Sequence, residues 1–249
     1  MYFSSSIRKI REQLQNVTFA GDDSIVYRAF LTAGPHPREC FLVYPEGMTD
    51  NAFVSEYVIK PLSREYLPPR LRGEELAAFL TEQVLPVNAV EERTVVSEAV
   101  DQILTGDAAL FVDGCASAFI IPSKKLTIRP PMEPQSESVV RGPREGFSES
   151  LAVNITLLRR RVRSSQLKFS YLTLGRQTHT KVAISYIEGI ASPAIVEEVR
   201  KRISAIDIDS IIDSGYIEEL IQDAPLLPIK TIGHTERPDI VAARILEGR

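Results

Sequence analysis

The sequence predicts a mixed α/β protein, helices packed on antiparallel sheets, built from two similar α/β subdomains joined by a proline-rich linker. Two observations carry this. Short β-branched and aromatic runs alternate with longer stretches of helical periodicity. The phrases "YPEG" (Tyr44–Gly47) and "QILTGD" (Gln102–Asp107) return 142 residues later as "YIEG" (Tyr186–Gly189) and "RILEGR" (Arg244–Arg249). At that one offset residues 39–106 and 181–248 share twelve identities. The number is small, but several matches fall at glycines and a Leu-Pro step, where backbone geometry dictates residue type. Convergent use of common α/β punctuation is the competing explanation.

In chain order, "IVYRAFL" (25–31) and "ECFLVYPEG" (39–47) form a hairpin across the turn "TAGPHPR". Asp50 caps a helix whose buried face is Val54, Val58 and Leu62, and Pro61 is expected to close it, since an interior proline costs about 3 kcal/mol. A second helix starts near Gly73, a third runs over 94–104, and a hairpin of "ALFVDG" and "ASAFIIP" ends the half. The helices are expected to cover one face of the sheet.

The second half repeats the plan. A helix starts at Ser148 with Leu151, Ile155, Leu158 and Val162 on one stripe. "LKFSYLTL" (167–174) and "KVAISYIEG" (181–189) make its hairpin. Ser192 caps the next helix, Pro193 takes its first position, and Ile195, Val199 and Ile203 line its buried face. Two more helices come after it, near Gly215 and over 238–246. The boundaries are therefore 1–122, a linker at 123–147 rich in proline, and 148–249. The second subdomain is expected to be truncated before its last strands, since the helix that leads into a hairpin in the first half is the last element in the second.

Composition narrows the function classes. A net charge of −4 speaks against bulk attraction to nucleic acid. The two cysteines, Cys40 and Cys115, lie in apolar runs and read as buried free thiols in a reducing compartment. No signal peptide or spanning helix is apparent; the best apolar run, 108–122, is short and carries Asp113.

Four motifs invite sharper readings. "DIDSIIDSG" (207–215) has the first spacing of a calcium loop, but Ile211 and Ile212 stand where an oxygen donor and a glycine are needed. Ile208 and Ile211 are expected to face the core instead, with Asp213 or Ser214 capping the next helix. "RRRVR", containing Arg159, Arg160 and Arg161, closes a helix; it either compensates the helix dipole on a solvated face or meets anionic lipid headgroups or an acidic partner. "RGPREGF", with Arg141, Pro143 and Arg144, precedes a helix N-terminus; it either holds a carboxylate or phosphate or bonds carbonyls as a structured linker. His36, His179 and His234 lie in no metal-ligand spacing, and no nucleophile, acid–base or phosphate-loop motif occurs. The chain is therefore expected to be non-enzymatic, with no cofactor, no metal and no catalytic residue. Arg141, Pro143, Arg144, Arg159, Arg160 and Arg161 are the candidate interface or linker contacts.

"VVRGPREGFSESLAVNITLLRRRV", "KVAISYIEGIASPAIVEEVRKRI", "IDIDSIIDSGYIEELI" and "TERPDIVAARILEG" together resemble the A subunits of GerA-type spore germination receptors, closely from Val139 onward and more loosely before it. The resemblance implies the soluble N-terminal domain of a subunit that continues into membrane helices. It implies an inner membrane location in the dormant spore with this region on the cytoplasmic, core side. It implies a transporter-like B subunit and a lipoprotein C subunit as partners, self-association through the full-length A subunit, and work in receptor assembly and signal relay. A germinant-binding module, holding an amino acid or sugar between the two subdomains, is the alternative.

Overall fold

The computed structural model describes residues 1–125, 145–223 and 231–249. The chain divides into two compact units. One comprises Met1–Ala20, Ser24–Ile128 and Arg163–Ser165; the other comprises Gly21–Asp23, Arg129–Val162 and Gln166–Arg249.

The first unit holds a five-stranded antiparallel sheet. Its strands are β1 (Ile25–Leu31), β2 (Glu39–Pro45), β3 (Glu91–Arg93), β4 (Ala108–Val112) and β5 (Ala118–Ile121), in the order β1-β2-β4-β5-β3. Both hairpins are where the apolar runs put them. The helices cover both faces, not one. Phe41, Val43, Ala109 and Phe111 pack against α1 (Ile7–Gln13) and α5 (Val96–Leu104). Cys40, Leu42, Leu110 and Val112 pack against α2 (Asn51–Val54), α3 (Lys60–Arg64) and α4 (Gly73–Phe79). Successive side chains point to opposite faces, so a strand apolar at every position needs a cover on each side. That is what the runs of β2 and β4 demand, and it overturns the one-sided expectation. The helix α1, with buried Ile7 and Ile10, is a further element beyond those expected.

Asp50 caps α2, accepting from the Ala52 and Phe53 amides at 3.0 Å. Val54, Val58 and Leu62 are buried as expected. Pro61 does not close the helix, which runs on to Arg64. A π-helical turn over Ser55–Ile59 lies just upstream. The wider turn breaks the four-residue bonding pattern where proline has no N–H to give, and so accommodates its ring.

Cys40 and Cys115 are free and buried, and burial pushes both thiols up to about 12. At pH 8 the thiolate is therefore about one part in ten thousand. Neither cysteine is expected to react with an aromatic disulfide reagent at pH 8 in the native chain, and two equivalents should react in denaturant. Prompt labelling without denaturant would show the first unit to be looser than described.

The second unit contains α6 (Leu151–Arg161), the hairpin β6 (Leu167–Leu174) and β7 (Thr180–Ile187), then α7 (Pro193–Ser204), α8 (Ser214–Ile221) and α9 (Pro238–Leu246). The hairpin again has two covered faces. Leu167, Phe169 and Ile187 pack with Ile155 and Leu158 of α6 and Ala242 and Ile245 of α9. Leu174, Val182 and Ile184 pack with Ile203, Ile211 and Ile217. In α7, Val199 and Ile203 face inward but Ile195 is 61% exposed, contrary to the expected stripe. Position 195 lies in the first turn of α7, away from the residues that meet the sheet. Ser192 occupies the cap position of α7 without a side-chain cap bond. Asp213 caps α8 through the Gly215 amide at 2.7 Å. Asp207 and Asp209 are exposed, where Asp207 binds the Arg176 guanidinium, and that hydrogen bond holds its carboxyl below the usual range. "DIDSIIDSG" is thus a capped loop with Ile211 in the core.

Candidate functional site: the charged helix end of the second unit

The three arginines that close α6 have three different environments. Arg159 is buried, with 1% of its side chain exposed, and pairs with Asp22, whose side chain is fully buried. Its guanidinium also lies 5.0 Å over the Phe169 ring. The segment around Asp22 is fixed to β6 through backbone: the Asp23 amide donates to the Phe169 carbonyl at 2.8 Å, and Asp23 Oδ2 accepts from the Tyr171 amide at 2.8 Å. Lys168, also buried, reaches Glu188 at 3.5 Å. Arg159 is therefore not a partner-facing residue, contrary to the sequence expectation. Every third or fourth helical residue shares a face, so Arg159 lies beside Ile155 and Val162 on the covered side of α6.

Arg161 is half-buried. It donates to the Leu157 carbonyl at 3.0 Å and to Glu145 Oε2 at 2.6 Å. Glu145 belongs to the motif "RGPREGF", and Phe147 of that motif donates its amide to the Glu236 carbonyl at 2.8 Å. Ser148 and Asn154 then exchange two hydrogen bonds, at 2.8 and 2.6 Å, that fix the start of α6. Arg160 is exposed. Arg141, Pro143 and Arg144 lie outside the described residues.

The arrangement is one of paired and presented charges. The buried pair holds a loop to a helix, and Arg160 presents a cation at a helix C-terminus. Among the described residues no group of three metal-ligating side chains occurs, and no helix is long and apolar enough to cross a membrane. An open groove beside α8 is lined by Ile208, Asp209, Ser210, Tyr216, Glu219 and Leu220. Two carboxylates and no cation line it, a poor match for an amino acid's carboxylate. No sequence signal marks Asp22. It stands in a polar turn, 137 residues from its partner.

Residues 8–249 match the family model described as Bacillus/Clostridium GerA spore germination protein. The chain belongs to the GerA family of spore germination proteins. Among the relatives it matches, "Uncharacterized membrane protein YfkQ" of Bacillus subtilis is 37% identical over 96% of this chain and 46% of its own length. Spore germination protein B1 of Bacillus subtilis is 35% identical over 100% of this chain and 50% of its own. The chain thus spans about half the length of the curated relatives it matches. The fold is similar to the crystal structure of the N-terminal domain of the A subunit of the Bacillus megaterium spore germinant receptor GerK3. The TM-score is 0.75 at 29% identity, covering 100% of this chain and 91% of that one.

Proposed function

We propose that this chain is the N-terminal, non-catalytic region of a germinant receptor A subunit, acting in receptor assembly and in relay of the nutrient signal during spore germination. The observation that carries the reading is the end-to-end likeness to the GerK3 A-subunit domain. On this reading the full-length subunit sits in the inner spore membrane with this region on the core side. Its partners are a transporter-like B subunit and a lipoprotein C subunit. The described surface offers Arg160 as the contact, since Arg159 is committed to Asp22 and Arg161 to Glu145.

Charge reversal tests this without disturbing the core. Arg160→Glu in the full-length subunit is expected to lower receptor level or nutrient-triggered germination several-fold. The same variant of this chain should unfold within about 0.5 kcal/mol of the original, as exposed substitutions do. Unchanged germination with an unchanged receptor level would remove Arg160 from the interface. Replacing Arg159 as well would confuse the test, because it would break the buried pair.

A further inference from the structure

The two units repeat each other at the level of single hydrogen bonds. Ile25 faces Pro45 and Leu31 faces Glu39 in β1–β2; shifted by 142 residues, Leu167 faces Ile187 and Thr173 faces Lys181 in β6–β7. The Glu46 amide donates to the Ser24 carbonyl at 2.8 Å, and Glu188 to Gln166 at 2.9 Å. The two helix ends agree as well. Gly106 donates to Ile103 and Asp107 to Gln102 at the end of α5; Gly248 donates to Ile245 and Arg249 to Arg244 at the end of α9. Both glycines have positive φ, +106° and +81°. A Cβ on Gly106 would stand 3.1 Å from the Met48 carbonyl, and one on Gly248 would stand 3.1 Å from that of Ile190, the matching residue.

Beyond the helix cap the two units part. In the first unit the chain leaves Gly106 into β4, which pairs antiparallel with the outer edge of β2. In the second unit β7 pairs with β6 alone among the described residues. Phe41, Leu42 and Val43 are fully buried in β2, whereas their matches Ala183, Ile184 and Ser185 are partly exposed. Met48 and Leu104 are 6% and 3% exposed; their matches Ile190 and Leu246 are 50% and 52%. An unpaired, apolar strand edge is a template for another strand.

We infer that the outer edge of β7 is a docking site for the stretch of the same polypeptide that comes after Arg249 in the full-length subunit. The relatives supply the length for it, since this chain spans about half of each and its solved likeness is an N-terminal domain. The repeat fixes the register. The occupant runs antiparallel to β7 over its second to fifth positions, as the four residues 109–112 of β4 pair with residues 43–40 of β2. It is apolar at every one, because β7 is covered on both faces. Its third position lies opposite Ile184, as Leu110 lies opposite Leu42. The Ala183 and Ser185 amides point to this edge, since the alternate residue Glu188 bonds toward β6.

Disulfide trapping in the full-length subunit tests the register. A non-hydrogen-bonded pair brings side chains closest, within reach of a disulfide. Ile184→Cys with a cysteine at the third position after Arg249 should cross-link within one chain, and a cysteine at the fourth position should not. Cross-linking between two copies, or equal yield at both positions, would overturn the assignment. Amide exchange needs no substitution: Ala183 and Ser185 should exchange at least tenfold more slowly in the full-length subunit than in this 249-residue chain. Equal rates would leave the edge open and defeat the inference whatever the receptor's role.

Discussion

Replacing Asp22 with alanine is expected to destabilise the second unit by about 3–5 kcal/mol, the cost of leaving one member of a buried ion pair without its counter-charge. Both side chains are out of water. The Asp22 carboxylate attracts Arg159 in a medium where neither is screened, and Arg159 also sits over Phe169. Deleting the carboxylate keeps the desolvation cost of the guanidinium and removes the opposite charge that helped to offset it. Replacing the pair together, Asp22→Leu with Arg159→Met, should recover most of the loss, because neither partner is then left charged and buried. Denaturant unfolding of the three variants measures this. A single variant within 1 kcal/mol of the original would show that the pair does not hold the segment around Asp22 to the second unit.

The second large effect belongs to the first unit. Phe111 of β4 stacks on Phe41 of β2 at 4.7 Å between ring centroids and meets Phe3 edge-on at 5.1 Å. All three rings are buried. Phe111→Ala removes a full side chain from the centre of the sheet and leaves a cavity that the paired strands cannot close. The expected loss is about 3–5 kcal/mol. Against a typical domain stability of about 5–15 kcal/mol, that is roughly a fifth or more. Leu31→Ala, at a position 56% exposed, is the control and should cost no more than about 0.5 kcal/mol. A similar loss at both positions would mean that burial in the first unit does not rank these side chains.

The strands are the most legible elements. β1 and β6 occupy the residues read as strands, because β-branched and aromatic runs bounded by polar turns carry a strong local signal. α4, α5, α8 and α9 stand where periodicity and the flanking Gly and Pro residues put them. The continuation of the α2 helix past Pro61 is not legible, because proline's local penalty is relieved by a π-helical turn that the sequence does not announce. The exposed Ile195 and the buried Arg159 depart from expectation for a shared reason. A helical stripe tells which residues lie together, not which stripe the rest of the molecule covers.

The sequence by itself determined the hairpins, the Asp50 cap and the 142-residue echo between the two halves, since each depends on backbone preference within a few residues. Tertiary structure alone decided that the sheets are covered on both faces, that Asp22 meets Arg159 across 137 positions of chain, and that among the described residues β2 has a strand on each side while β7 pairs with β6 alone. These are matters of which surfaces lose water to which others. That free energy is set by contacts between distant segments, and no local window of residues contains it.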